Sequence, residues 1–266
     1  MINVTKDKLA AMKVKEIKDL MDTADMKNYP DLWALFEEDN RASVKKMAKG
    51  LKRRYNTYAR SVEKCWEMKA LEANCYKQGY TAICGIDEVG RGPLAGPVVC
   101  AAVVMPKESF ILEVDDSKKL SAKKRETLDM EIREEALAIA IAERSPEQID
   151  ASNILNATKE AMQEAINNLT VQPDLVLIDA VELDTQAETR SIIHGDATCY
   201  AIAAASIVAK VYRDQLMQAY HAQYPQYGFD RNMGYGTAEH IQAIQQYGLT
   251  PIHRKSFVKN IIHEKR

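Results

Sequence analysis

Asp87 and Glu88 stand side by side at the end of the apolar run Ala82-Ile83-Cys84-Gly85-Ile86. Burying unpaired charge is costly, so two adjacent carboxylates at the end of a buried strand need a reason. Successive strand residues point to opposite faces, so both reach one site only if the strand is ending there. Asp179 closes a second apolar run, residues 175–178, and Asp196 lies in His194-Gly195-Asp196 just before a long alanine-rich stretch. Four carboxylates at the ends of elements, without a histidine cluster, suit a hard cation such as Mg²⁺ or Mn²⁺ rather than zinc. A helix cap or strand-end turn accounts for any one of them alone, and for Asp196 most easily. It is the set that points to metal. Between them, Val89-Gly90-Arg91-Gly92-Pro93 reads as a loop whose glycines expose backbone N–H groups and allow a ligand to approach closely.

Other chemistries are excluded by their missing patterns. The five histidines show no HExxH or finger spacing and read as surface or packing residues. The glycine loop is followed by neither Gly-Lys-Ser nor Gly-Lys-Thr, and no GxGxxG is present, so neither a P-loop nor a dinucleotide site is expected. The five cysteines include no CxxC pair, which argues against a disulfide framework and for a reducing compartment. Cys84 and Cys100 lie inside apolar runs and read as core thiols. Asp214, eighteen residues beyond Asp196, would lie ~27 Å from it along a continuous helix. It is read as structural, paired with a nearby base.

The elements that must position these groups follow from pattern. The chain has 266 residues, 46% hydrophobic and 28% charged, the balance of a soluble protein with a proper core. No apolar run approaches the ~18 residues of a membrane span, and the N-terminus is too charged for a secretory signal, so a cytoplasmic protein is expected. Residues 1–75 read as a helical extension: Val14, Ile17, Leu20 and Met21 recur at helical spacing, as do Val62, Trp66, Met68 and Leu71, with Asn28 and Pro30 breaking the region. The texture changes between Ala73 and Gly79, and residues 76–266 read as mixed α/β. Strands are expected at 82–87, 98–105, 137–142, 175–178 and around Ile192-Ile193, with a Ser121-capped helix, an amphipathic helix over 153–169 and the alanine-rich helix after Asp196. Net charge is only −2, but residues 41–60 carry eight Lys or Arg and no acid. That segment reads equally as a solvated helix face or as a footprint for phosphate, with Tyr55 and Tyr58 available to stack.

At this point a resemblance comes into view. The segments CGIDEVGRGPLAGPVVCAAVV, DDSKKLSAKKR, LVLIDA, HGDATCYAIAAASIVAKVYRD, NMGYGTAEH and HRKSF occur in the order found in the ribonuclease HII family, over roughly residues 83–257. The resemblance implies a ribonuclease H-like fold, a five-stranded mixed sheet flanked by helices, with a C-terminal helical region. It implies that Asp87, Glu88, Asp179 and Asp196 are catalytic and hold divalent metal, and that Gly90, Arg91 and Gly92 recognise the ribonucleotide largely through its 2′-hydroxyl. Tyr235 matches the tyrosine that stacks on the following sugar, and Lys118 and the stretch 253–256 match positions near the nucleic-acid backbone. The implied activity is metal-dependent hydrolysis of the RNA strand of RNA/DNA hybrids and incision 5′ of single ribonucleotides in duplex DNA, leaving 3′-hydroxyl and 5′-phosphate ends. A role in ribonucleotide excision repair and a monomeric state go with it. His194 and Met233 stand where the family commonly has lysine, which puts local phosphate contacts in doubt. The rival readings are a ribonuclease HIII-like activity on long hybrids and a non-catalytic nucleic-acid-binding protein. Tyr235 argues against the first, as does the absence of a sheet-like pattern near the N-terminus. Retention of all four acids argues against the second.

Overall fold

The computed structural model describes residues 4–179 and 181–263. By their internal contacts the residues fall into two units, Met1–Lys64 and Cys65–Arg266. Composition alone places the change near residues 73–79, so the two divisions differ by the last turns of one helix.

In the first unit, α1 (Lys6–Ala11) starts at Thr5, whose hydroxyl accepts from the Lys8 N–H. Helices α2 (Val14–Thr23) and α3 (Tyr29–Glu37) follow, and Pro30 sits in the first turn of α3, where its missing N–H costs nothing. Helix α4 (Ala42–Lys77) then begins. Leu9, Ile17, Leu32, Phe36, Val44, Ala48 and Leu51 form the buried centre of this unit. Arg41 is not available to a ligand as one of the eight cations: it binds Asp39 Oδ2 at 2.6 Å and the carbonyls of Met12 and Leu9 at 2.6 and 3.0 Å. Lys45, Lys46, Lys49, Lys52, Arg53, Arg54 and Arg60 are exposed, and Arg54 lies 3.6 Å from Asp22.

The second unit is built on a five-stranded sheet of order β3-β2-β1-β4-β5. Strands β1 (Ile83–Val89), β2 (Val98–Val104) and β3 (Ala138–Arg144) form an antiparallel meander, while β4 (Leu175–Asp179) and β5 (Glu188–Ile192) join parallel to β1. The helices are α5 (Ala122–Glu135), α6 (Pro146–Ser152), α7 (Ile154–Asn167), α8 (Gly195–Thr198), α9 (Tyr200–Gln223), α10 (Phe229–Asn232), α11 (Ala238–Tyr247) and α12 (Lys255–His263). Cys84, Ile86, Cys100, Ala102 and Val104 face Ala161, Met162, Ala165 and Ile166 of α7. Ala101 and Val103 face the alanines of α9, where Leu128 and Ile132 of α5 join the same core. The small residues let α9 press onto the sheet: a Cβ at Gly85 would lie 2.1 Å from the carbonyl carbon of Ala201. The Ser121 hydroxyl accepts from the Lys124 N–H and caps α5 as the sequence predicts.

Three local expectations are corrected. The fifth strand is Glu188–Ile192 rather than Ile192-Ile193, and Ile193 is 77% exposed. It is a polar edge strand, and edges are commonly defended by charge, so no apolar run announced it. Helix α9 does not continue from Asp196, because Cys199 adopts an extended conformation and separates α8 from α9. Trp66 is 62% exposed, against its expected place on an apolar face, and rests on Phe110 at 4.6 Å between ring centroids.

Cys199 offers α9 no side-chain cap. Glu72, near the end of α4 and only 3% exposed, supplies it from a distance: its Oε1 accepts the Ala201 N–H at 2.7 Å. An anion at a helix N-terminus also meets the positive end of the helix dipole. Among the described residues, no helix is long and apolar enough to cross a membrane.

Candidate active site

The parallel pairing of β1 with β4 sets Ile86 opposite Ile178, so Asp87 and Asp179 follow at the same end of neighbouring strands. Ile86 and Ile178 both face α7, which turns the next residue of each strand to the α9 side. Asp87 is 5% exposed, and its carboxyl takes a hydrogen bond from Ser206 of α9. Ser206 Oγ lies 2.9 Å from Ser117 Oγ, which ties the site to the DDSKKL segment. Asp179 Oδ1 accepts the Gly195 N–H at 3.0 Å, which fixes the start of α8 and with it Asp196. Asp196 is buried at 7% exposure and receives Lys118 Nζ at 3.0 Å. Glu88 differs from the expectation that strand β1 ends at the acidic pair. The strand continues to Val89 with Glu88 opposite Cys100, so the two carboxylates start from opposite faces. Glu88 nonetheless lies close enough to Asp179 and Lys118 for their charges to act on it.

The electrostatics of this corner are unfavourable without a cation. Burial, then the charges of Glu88 and Asp179, push the Asp87 carboxyl well above the usual carboxylate range. Burial also raises Glu88, against the opposing pull of Arg91, whose Nη1 lies 3.3 Å from Glu88 Oε1. Glu88 Oε2 is buried and has no hydrogen-bond partner among the described residues.

The glycine loop lies directly beyond. Gly90 has φ +92, and a Cβ there would fall 2.2 Å from Arg213 Nε, so no side chain fits. Gly92 is exposed, and its Cβ position is 3.5 Å from Cε1 of Tyr235. Tyr235, itself 48% exposed, follows a turn in which Gly234 N–H binds Asn232 Oδ1 at 2.8 Å and Gly234 O accepts the Leu94 N–H at 2.8 Å. The acidic corner, the glycine loop and an open aromatic ring thus occupy one end of one sheet.

The chain is similar to known proteins in sequence and in fold. Residues 84–260 match the family model described as Ribonuclease HII, and residues 13–76 match the one described as Ribonuclease HII N-terminal domain. Ribonuclease HII of Enterococcus faecalis is 50% identical over 231 residues, 86% of this chain and 91% of that one. The chain belongs to the ribonuclease HII family. Ribonuclease HII of Clostridioides difficile is 46% identical over 250 residues, 94% of this chain and 98% of that one. The solved ribonuclease H2 of Pyrococcus horikoshii OT3 superposes with a TM-score of 0.61 at 25% identity, covering 69% of this chain and 98% of that one. As a member of the ribonuclease HII family, the chain is an endoribonuclease of the ribonuclease H class.

Among the described residues, no three acidic, histidine or cysteine side chains are already drawn together as a metal cage. Each candidate carboxylate is turned instead to a donor of the chain: Asp87 to Ser206, Glu88 to Arg91, Asp179 to the Gly195 amide, Asp196 to Lys118. The donor chemistry nonetheless fits a hard cation. The set is oxygen only, its charges oppose one another, and Glu88 Oε2 is a buried acceptor with no hydrogen-bond partner among the described residues.

Other sequence expectations meet mixed outcomes. Lys118 is found at Asp196 rather than standing free, although its side chain remains 75% exposed. In the 253–256 stretch, expected at a nucleic-acid backbone, His253 and Arg254 are buried at 2% and 0% exposure, and Ser256 is bound to Asp150. Met233 takes φ +50 and packs beside Ala95 and Met217, a setting in which an apolar side chain is at home. Asp214 pairs with Arg125 at 3.4 Å and with Lys210, as its structural reading requires. The sequence reading missed Ser206 and Arg213. Both lie on the stripe Ile202-Ser206-Ala209-Arg213-Met217, the buried face of α9. A polar residue in register with a helix's apolar stripe was the available signal.

Proposed function

We propose that the chain hydrolyses the RNA strand of RNA/DNA hybrids and incises 5′ of single ribonucleotides in duplex DNA, leaving 3′-hydroxyl and 5′-phosphate ends. The observation that carries this reading is the sharing of one sheet end by the four carboxylates, the Gly90–Gly92 loop and Tyr235. Asp87, Glu88, Asp179 and Asp196 would hold Mg²⁺ or Mn²⁺. Such ions neutralise the acids' mutual repulsion, activate water and stabilise charge on the leaving oxygen. Around them the chain's own groups have separate tasks. Ser206 orients Asp87, and the Gly195 amide orients Asp179. Arg91 and Lys118, both reaching toward solvent, offer positive charge to flanking phosphates. The exposed Gly92 backbone can approach the 2′-hydroxyl, the one group that separates ribonucleotide from deoxyribonucleotide. Tyr235 stacks on the sugar that follows.

The N-terminal helices are proposed as a nucleic-acid-binding module, with the exposed cations of the first half of α4 meeting phosphate. The deciding experiment is nicking of a DNA duplex carrying one ribonucleotide, run beside a uniform RNA/DNA hybrid, with Mg²⁺ and with chelator. Cleavage of both substrates, lost with chelator, is the expected result. Cleavage confined to the long hybrid would transfer the chain to a ribonuclease HIII-like activity, and binding without cleavage to a non-catalytic role.

A further inference from the structure

Arg213 in α9 and Arg254 just before α12 are both 0% exposed. Among the described residues, neither guanidinium has a carboxylate within 4.0 Å. Asp214, next to Arg213, is committed to Arg125 and Lys210, and Asp150 is committed to the Lys255 and Ser256 amides. Burial pushes Arg213 down to about 10 and Arg254 down to about 9, so both remain cations at neutral pH. A buried charge without a counter-ion is costly, and apolar residues of similar volume would pack there more cheaply. What the two side chains hold explains their presence.

Each directs its guanidinium to main-chain carbonyls. Arg254 donates to Gly96 O at 2.9 Å, Arg91 O at 2.9 Å and Gly90 O at 2.5 Å. Arg213 donates to Pro97 O at 3.0 Å, Ala95 O at 3.1 Å and Met233 O at 2.9 Å. A planar fork of donors reaches three carbonyls at once, which a lysine ammonium on a flexible stem does with far less order. In a trans peptide the N–H points opposite to the C=O. Drawing the Gly90 and Arg91 carbonyls inward therefore turns the amides of Arg91 and Gly92 away from the interior. Arg213 also bridges two separate segments: Ala95 and Pro97 belong to the glycine loop, while Met233 begins the turn that presents Tyr235. The Leu94 N–H to Gly234 O bond, at 2.8 Å, is another tie between them. The fit is tight, since a Cβ at Gly234 would lie 2.4 Å from Ala95 O.

We propose that Arg213 and Arg254 are positioning residues for ribonucleotide recognition, fixing the 90–97 loop and the 233–235 turn as a single reading surface. The inference rests on the reading above that these two segments meet the ribonucleotide. Neither arginine touches the substrate. Arg254 sets the direction of the loop amides, and Arg213 sets the spacing between those amides and the Tyr235 ring.

The test compares the full-length enzyme with R213K, R254K, Y235A and the double variant R213K/Y235A. The readout is the ratio of kcat/KM on a duplex with one embedded ribonucleotide to that on a uniform hybrid, in Mg²⁺, with thermal unfolding alongside. General destabilisation lowers both numbers together and leaves their ratio unchanged. R213K and R254K are each expected to lower the ratio about tenfold, the worth of one charge-assisted hydrogen bond. The double variant should be no worse in ratio than Y235A alone, because both changes undo the same surface. A changed ratio in Y235A with wild-type ratios in both arginine variants overturns the inference alone, as do fully additive effects of R213K and Y235A. An unchanged ratio in Y235A overturns the underlying reading and this inference with it. If the lysine variants fail to fold, amide hydrogen exchange of the unmodified enzyme decides. Leu94, Gly96, Gly234 and Tyr235 should then share one opening free energy, and separate openings of loop and turn overturn the proposal.

Discussion

His253 Nε2 lies 3.0 Å from His240 Nε2, and the proton between them has a determined direction. The Thr250 N–H donates to His253 Nδ1 at 2.9 Å, so that nitrogen is an acceptor and His253 carries its proton on Nε2. His240 Nε2 must then accept, which leaves His240 Nδ1–H to donate to the Tyr235 carbonyl at 2.9 Å. The rings of Tyr227 and Phe229 surround the pair. This one-way chain needs both imidazoles neutral.

Acid should therefore loosen the C-terminal region before most of the molecule. Burial, then the neighbouring His240, brings His253 down to about 4, and burial lowers His240 as well. The folded state thus favours the neutral rings. Their contribution is complete above the unfolded value of ~6.5 and is lost as pH falls toward about 4, a loss on the order of 2–3 kcal/mol. Urea unfolding between pH 7 and 4.5 should show it, and His253→Asn should flatten the pH dependence across that window. An equally steep dependence in the variant would remove the histidine pair as its source.

Asp179→Asn should lower Mg²⁺-dependent cleavage on the order of a hundredfold or more, since a neutral amide is a poor ligand for a hard cation. The amide oxygen can still accept the Gly195 N–H, so the unfolding midpoint should change little. Near-normal turnover by the folded variant would take Asp179 out of the metal site.

Tyr235→Ala should impair cutting at an isolated ribonucleotide more than cutting within long RNA, by about tenfold if stacking contributes its usual ~1–3 kcal/mol. The ring is half exposed, and among the described residues the hydrogen bonds of Tyr235 are made by its main chain, so stability should be nearly unchanged. Equal losses on both substrates would show that the ring does not read the junction.

Gly85→Ala should destabilise the protein by roughly 3 kcal/mol or more, because the added methyl meets backbone rather than a movable side chain. Chemical denaturation measures it. A loss under about 1 kcal/mol, the range of a tolerated volume change, would mean that α9 can lift from the sheet.

A chain beginning near Cys65 should keep catalysis but bind duplex with a shallower salt dependence, by ~0.9 in log–log slope for each phosphate it no longer neutralises. Starting instead near Asn74 removes Glu72, Met68 and Cys65, which are buried in the catalytic unit, and should destabilise it as well. Titrations of both chains and the full-length protein on one duplex check the first point, and thermal unfolding checks the second. Parallel salt lines would mean that the basic segment does not meet nucleic acid.

Much of this was legible along the chain. Four of the five strands follow from apolar runs, most plainly where a strand is buried on both faces and must be apolar throughout, as residues 98–104 are. The Ser121 cap and helix α7 follow from local chemistry in the same way. Strand β5 lies away from its expected place because an edge strand can be polar while its backbone pairs with β4. The break at Cys199 has no local signal because its cap comes from Glu72, 127 residues earlier.

The residue types at the candidate site, and the carboxylates' places at the ends of apolar runs, belong to the sequence. Their convergence does not. Asp87 and Asp179 become neighbours through a parallel pairing between distant strands, and Glu88, from the other face of β1, still feels the charge of Asp179. Arg254, His240 and His253 look like ordinary polar residues along the chain, and only the apolar register of α9 hints that Arg213 is buried. Burial and the direction of a hydrogen bond are properties of what surrounds a side chain. Those surroundings come from segments far apart in the chain, and only the tertiary structure assembles them.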